Sequence, residues 1–152
     1  MSYAGFWKRF AAFLLDQIIL WCVGLLLLVP FFGMLGLGIF ESAMTDSEPS
    51  EGMIAAILGA YFGSLMLIVL AGWLYYALME SSAKQATLGK MALSIVVTDM
   101  NGNRISFGRA TGRYFGKILS SLIFYIGYIM VAFTEKKQGL HDMIAGCLVV
   151  NK

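Results

Sequence analysis

The sequence predicts an all-α membrane protein with a small β element, and three observations support that prediction. Of the 152 residues, 59% are hydrophobic, and only 13% are charged, which is about half the share in soluble domains. Two long runs, residues 18–40 and 53–79, contain no charged residue. Each run exceeds the roughly 20 apolar residues that one membrane crossing requires. We therefore expect two long transmembrane helices in a single domain covering residues 1–152.

The first helix begins within the stretch FWKRFAAFLLDQIILW, residues 6–21. Its apolar run is longer than the core of a signal peptide and includes Asp16, so we expect a retained helix. Arg9 and Asp16 are seven residues apart, which places them within about 20° of one helix face. A carboxylate in hydrocarbon is costly, so Asp16 should face protein or water, with Gln17 as a polar neighbour. Its role stays open between a structural pair or cap and a proton or cation site.

The charges outside the two runs predict the orientation in the membrane. Lys8 and Arg9 precede the first run, and the loop at residues 41–52 has only acidic charges, at Glu41, Asp46, Glu48 and Glu51. Basic residues return after the second run. The positive-inside rule therefore places the N-terminus and residues 80–117 in the cytoplasm and the acidic loop outside.

The segment SIVVTDMNGNRISF, residues 94–107, changes from a helical to an extended pattern. Its β-branched residues come before Asn101-Gly102, a strong two-residue turn signal, and an extended stretch follows at residues 104–106. This pattern predicts a β-hairpin on the cytoplasmic side. Because a lone hairpin is marginally stable, the apolar residues 146–150 should add a third strand.

A basic helix is predicted after the hairpin, at residues 107–117. Arg109, Arg113 and Lys117 follow one another at intervals of four residues and so share one helix face. A basic face beside apolar residues suits a helix lying at the level of the lipid headgroups. We therefore predict that all three side chains face the lipid.

The apolar residues 118–134 form a third membrane segment with two possible paths. One crossing would place Lys136, Lys137 and the tail outside, against the charge rule and away from the hairpin. A re-entrant segment or helical hairpin that breaks near Gly127 returns both ends to the cytoplasm. We favour this return path, although a single crossing stays open.

Polar residues concentrate in two further segments. Residues 80–93 contain Glu80, Thr87 and Lys90, without the spacing of a phosphate-binding loop. Residues 136–146, KKQGLHDMIAG, contain His141 and Asp142. An aspartate near a helix start is usually a cap or a salt-bridge acceptor, and a single interfacial histidine is usually a hydrogen-bonding residue.

The remaining composition predicts neither an enzyme nor a cofactor protein. Cys22 and Cys147 are too far apart in predicted depth for a disulfide, and one histidine cannot build a zinc site alone. The net charge of +2 does not favour nucleic acid. We expect no catalytic residues, no metal and no cofactor.

The chain resembles the RDD family of small bacterial membrane proteins from about residue 3 to residue 150. That family is named after an arginine and an aspartate in its first helix and an aspartate near its end, which match Arg9, Asp16 and Asp142. The ATLGK block at residues 86–90 and the closing HD-x-x-AG motif agree as well. The resemblance implies a location in the bacterial inner membrane. It also implies transport for some members, which look like cation/proton antiporters, and anchoring for others, which are fused to further domains.

Two functions follow from these features. The first is a secondary transporter that exchanges a monovalent cation such as Na⁺ for protons, with Asp16 as the ion carboxylate, Arg9 balancing its charge and Asp142 as the cytoplasmic acceptor. Two or three spans enclose little space, so this function requires a homo-oligomer, and Gly59-x-x-x-Gly63 has the spacing of a close helix contact. The alternative is a non-enzymatic scaffold or assembly factor in which the same three residues form a structural network. Membrane lipids are the expected partners of the basic face in that case.

Overall fold

The computed structural model of the chain describes residues 2–44, 50–122 and 126–152, excluding the side chains at positions 27, 30, 31 and 34. Two long helices come first, α1 (Phe6–Met44) and α2 (Glu51–Ser81). The short helix α3 (Leu88–Ala92) and strand β1 (Ile95–Asp99) follow. The elements of the second half are α4 (Phe107–Leu122), α5 (Ile126–Ile129), a 3₁₀ turn (Met130–Ala132), α6 (Leu140–Ala145) and strand β2 (Cys147–Asn151).

Two helical segments are long and apolar enough to cross a membrane, as the sequence predicts. They are Phe6–Leu26 in α1, with a mean hydropathy of 1.7, and Glu51–Ser81, with a mean hydropathy of 2.3. Only 11% of the residues in either apolar window are buried within the protein, so the apolar side chains mostly face outward. That arrangement suits a lipid environment because apolar side chains gain nothing from turning away from hydrocarbon. The predicted loop residues Asp46 and Glu48 fall in 45–49, outside the described residues.

The chain forms two compact units, residues 1–18 with 72–152, and residues 19–71. In the second unit, a Cβ on Gly38 would lie 3.7 Å from the terminal methyl of Met53, so the two helices approach each other there. The first unit contains a small apolar core. Its fully or almost fully buried members are Ala4, Ala12, Ala77, Ile95, Val97, Ile105, Ala110, Cys147 and Val149.

The β element differs from the predicted hairpin. β1 pairs antiparallel with β2, with Ile95 opposite Asn151 and Asp99 opposite Cys147. The turn at Asn101-Gly102 is present, since the Asp99 carboxylate accepts the N–H groups of Asn101 and Asn103 at 2.8 Å each. The return stretch, residues 104–106, is nevertheless not a strand.

The prediction of a 95–106 hairpin was therefore wrong, although the predicted strand at the C-terminal end is confirmed. The physical reason is burial. Four of the five β2 residues are buried, whereas Arg104 and Ser106 are exposed and would lose water in that position. Tyr3 adds an isolated bridge to Val150, so the N-terminal segment takes the place of the third strand.

The third apolar segment turns back on itself. The helices at residues 107–122 and 126–132 are bent by 116° with respect to each other. Gly127 lies so close to α4 that an added Cβ would be 2.5 Å from the hydroxyl of Ser120. The hydroxyl of Tyr128 also donates to the carbonyl of Lys117 at 3.2 Å. This geometry agrees with the return path, and residues 123–125 lie outside the described part.

Candidate functional site

Asp142 is the centre of a buried charge cluster in the first unit. It is the third residue of α6 and accepts the N–H of Gly139, the residue before the helix, at 3.2 Å. Its carboxylate also accepts the Nε–H of Arg113 at 2.7 Å and an Nη1–H of Arg9. The structural network predicted for Arg9, Asp16 and Asp142 is therefore present only as the pair of Arg9 and Asp142, and the inclusion of Asp16 in it was wrong. Burial would raise the pKa of the Asp142 carboxyl, but the guanidiniums of Arg113 and Arg9 outweigh burial and hold it well below its usual range.

Arg113 connects Asp142 to a second buried carboxylate, Glu80, at the end of α2. Nη1 of Arg113 donates to Oε2 of Glu80 at 2.7 Å, while Lys90 in α3 forms an ion pair with Oε1. We call Arg9, Glu80, Lys90, Arg113 and Asp142 the charge network. Both carboxylates are at most 1% exposed, so each needs its cations, because an unpaired buried charge is strongly destabilising.

The predicted lipid-facing role of the basic residues on α4 holds for only part of the set. Arg109 is exposed, as expected. Arg113 is 2% exposed and points inward, and Lys117 is half-buried with Nζ 3.8 Å from Oε1 of Glu80 and 3.9 Å from the ring centre of Tyr76. The prediction for Arg113 and Lys117 was wrong. Helical spacing places the three residues on one face. The buried carboxylates attract Arg113 and Lys117 inward, whereas Arg109 stays exposed.

Asp16 forms a separate cluster with the segment that follows α2. Its Oδ1 accepts the hydroxyl of Tyr75 and the N–H of Gly89, both at 2.7 Å, and its Oδ2 accepts the hydroxyl of Thr87 at 2.6 Å. Thr87 and Gly89 are at the N-terminus of α3, where backbone N–H groups lack helical partners. Asp16 therefore caps α3 from another helix. Within the described residues it forms no ion pair.

The close approach of Asp16 and α3 requires glycine at position 89. A Cβ at that position would lie 2.2 Å from the carbonyl oxygen of Ala12 and 2.9 Å from Oδ1 of Asp16. No side chain can occupy that space without moving the backbone of α1. The ATLGK block thus contains a packing requirement at Gly89, a hydroxyl at Thr87 for Asp16, and an ammonium at Lys90 for Glu80.

Two further predicted residues are not ion-pair partners. Gln17 is half-buried and makes no hydrogen bond through its side chain with the described residues. His141 is 4% exposed, and burial lowers its pKa to about 3. The imidazole is therefore neutral at pH 7, and its 3.6 Å approach to Asp142 is not an ion pair. Its Nδ1 lies 3.4 Å from the hydroxyl of Ser120.

Sequence reasoning missed Tyr75, which lies in an apolar run without any polar pattern. The hydroxyl of Tyr75 donates to Asp16 and also accepts the N–H of Leu88 at 3.1 Å.

No group of three or more metal-ligating residues that could hold a metal ion occurs in residues 2–44, 50–122 and 126–152. Cys22 is exposed and Cys147 is buried, and both are free thiols.

The family model for the RDD family matches residues 3–146 of this chain. Among the similar proteins of Bacillus subtilis strain 168, the uncharacterized protein YxaI is 38% identical over 98% of this chain and 97% of its own length. The uncharacterized membrane protein YteJ is 36% identical over 99% of this chain and 82% of its own length. No solved structure matches the chain. The chain is an integral membrane protein, and it belongs to the RDD family.

Proposed function

We propose that this protein is a non-enzymatic membrane scaffold whose buried polar groups hold a rigid unit at the membrane surface. The observation behind this proposal is the set of three hydrogen bonds that Asp16 accepts on its two oxygen atoms, from Tyr75, Thr87 and Gly89, at 2.6–2.7 Å. A carboxylate that caps a helix and accepts three hydrogen bonds stabilises one arrangement of its neighbours. The charge network does the same for α2, α3, α4, α6 and the first turn of α1.

In this proposal the first unit faces the cytoplasm of a bacterial cell and the protein is a multi-pass component of the inner membrane. The distribution of Lys and Arg supports that orientation, because all of these residues lie at positions 8–9 or 84–152 and none lies at positions 10–83. A homo-oligomer is part of the proposal. Gly59 and Gly63 are exposed, and a Cβ on either would meet no described atom within 4 Å, which leaves that face of α2 free for a second copy.

A second candidate function is the exchange of a monovalent cation for protons at Asp16. It is favoured by the lack of any ion-pair partner within the described residues, together with the neutral groups around the carboxylate. The hydroxyls of Tyr75 and Thr87 can rotate to present oxygen atoms to a cation, and the carbonyl of Ala12 lies close to Gly89. Oxygen ligands of this kind suit a hard monovalent cation. Arg9 and Asp142 form an ion pair with each other and not with Asp16. Their part in the exchange would therefore be structural.

Proteoliposome flux separates the two functions. Cation uptake driven by a pH gradient is measured for the wild type and for Asp16→Asn, together with the thermal stability of both. The scaffold predicts no flux of Na⁺, K⁺ or Li⁺ in either protein and a lower melting temperature for Asp16→Asn. Wild-type flux that disappears in a folded Asp16→Asn variant would reject the scaffold and establish exchange. Gln17→Ala is the matched control, since that neighbouring side chain makes no hydrogen bond with residues 2–44, 50–122 and 126–152 and the change should alter neither readout.

A further inference from the structure

A cavity at the start of α1 combines two ammonium groups with an aromatic and apolar wall. Its volume is about 610 Å³, within the roughly 300–1,000 Å³ of small-molecule sites. It is bounded by the first turn of α1, the end of the 3₁₀ turn and the end of β2. The residues that form it are Gly5, Phe6, Trp7, Lys8, Val131, Ala132, Lys137 and Asn151. The charge network and the Asp16 cluster use none of these side chains.

The two lysines are positioned by the fold. Nζ of Lys8 donates to Oδ1 of Asn151 at 2.8 Å, which leaves the rest of its ammonium directed at the cavity or solvent. Asn151 is itself held, because its Nδ2 donates to the carbonyl of Ser2 at 3.2 Å. Nζ of Lys137 lies 3.8 Å from the position that a Cβ on Gly5 would take.

Lys137 occupies a backbone conformation that favours glycine. Its φ is 48°, in the left-handed region where a side chain is disfavoured. Glycine would adopt this conformation without that strain. Strained residues cluster at functional sites, but Gln85 and Ser94 share this conformation, so the φ of Lys137 supports a task for its ammonium only together with the cavity that it lines.

The charge of the cavity and its position at the start of the apolar segment Phe6–Leu26 indicate its ligand. Among the described residues that line the cavity none is acidic, so two positive charges face it without a lining counter-ion. Trp7 is 76% exposed and lies in the first turn of the membrane-crossing segment Phe6–Leu26. Exposed tryptophan and lysine at the end of a span are typical of the headgroup level of a bilayer.

We propose that this cavity binds the phosphate of an anionic phospholipid, with Lys8 and Lys137 holding the headgroup. The exposed side chains of Trp7 and Ala132 contact the glycerol and the upper part of the acyl chains. The site anchors the first turn of α1 and the end of β2 to one lipid. It is independent of whether the protein is a scaffold or an exchanger, since neither function uses these side chains.

Native mass spectrometry of the full chain in detergent, with added phosphatidylglycerol or phosphatidylcholine, tests the proposal. We expect retention of one phosphatidylglycerol, and a roughly tenfold or greater loss of its affinity in Lys8→Gln/Lys137→Gln. Lys84→Gln/Arg104→Gln removes the same charge from exposed positions outside the cavity and should change the affinity less than twofold. Lys8→Arg/Lys137→Arg keeps both charges and should keep the lipid, which separates loss of binding from loss of folding.

Equal retention of phosphatidylglycerol and phosphatidylcholine would overturn the proposal. Equal losses of phosphatidylglycerol affinity in Lys8→Gln/Lys137→Gln and in Lys84→Gln/Arg104→Gln would overturn it as well. Displacement of the lipid by inorganic phosphate or by a glutamate-rich peptide at the same molar ratio would assign the cavity to another anion and would also overturn it.

Discussion

Replacing Arg113 by methionine removes the cation that joins the two buried carboxylates while keeping a side chain of similar length. The change eliminates the bonds from Nε to Asp142 and from Nη1 to Glu80, both 2.7 Å long. Hydrogen bonds to charged groups contribute about 1.5–3 kcal/mol each, so the sum would be about 3–6 kcal/mol. Because each carboxylate keeps another cation, we expect the lower end, a loss of about 3 kcal/mol in the free energy of unfolding.

Thermal unfolding in detergent, followed by tryptophan fluorescence, measures this loss. For a chain of this length 3 kcal/mol corresponds to a decrease of about 6–12 °C in melting temperature. Arg109→Met, one helical turn earlier, is the matched control and should change stability by less than about 0.5 kcal/mol, because Arg109 is exposed. Arg113→Lys should be intermediate, since one ammonium cannot reproduce a planar guanidinium that bridges two carboxylates.

Equal effects of Arg113→Met and Arg109→Met would refute the inward orientation of Arg113. A fully stable Arg113→Lys variant would refute the argument that the bridge depends on the geometry of the guanidinium. The first result would place Arg113 on the lipid-facing side of α4.

Two further predictions concern packing and pH. Gly89→Ala should destabilise the protein by about 1–3 kcal/mol, because the new Cβ would lie 2.2 Å from the carbonyl oxygen of Ala12, whereas Gly112→Ala in α4, with no described atom within 4 Å, should be neutral or stabilising. Similar melting temperatures for the two alanine variants would contradict the tight contact. Burial lowers the pKa of His141 to about 3, so the unfolded chain binds more protons below about pH 6.5, and stability should fall by about 2 kcal/mol between pH 7 and pH 5. His141→Gln should lose that part of the pH dependence, and an unchanged pH profile in this variant would show that another group is responsible.

The β element shows the limit of local sequence signals. Asn101-Gly102 predicts a turn, and the turn is present, because a glycine at φ 88° and the Asp99 carboxylate satisfy it locally. The choice of partner for β1 depends on which distant segment buries more apolar surface. That comparison selects β2, fifty residues later in the chain, and no pattern within residues 94–107 encodes it.

The charged residues show the same division. Their identity and order were enough to single out Arg9, Asp16 and Asp142. They were also enough to show the resemblance to the family to which the chain belongs. Helical spacing also placed Arg9 and Asp16 on one face. It could not show that Asp142 takes both Arg9 and Arg113, or that Asp16 caps α3 without an ion pair, because those partners come from segments far apart in sequence.

The order of the amino acids is enough to predict that the chain enters a membrane, since charge-free runs of 23 and more residues leave apolar side chains with no other favourable solvent. It also identifies which polar residues are unusual enough to require a partner. The identity of those partners, and the direction in which Arg113, Lys117 and Glu80 point, follow only from the folded chain. The reason is physical: the cost of an unpaired buried charge is a property of its surroundings, and those surroundings exist only once α2, α4 and α6 have come together.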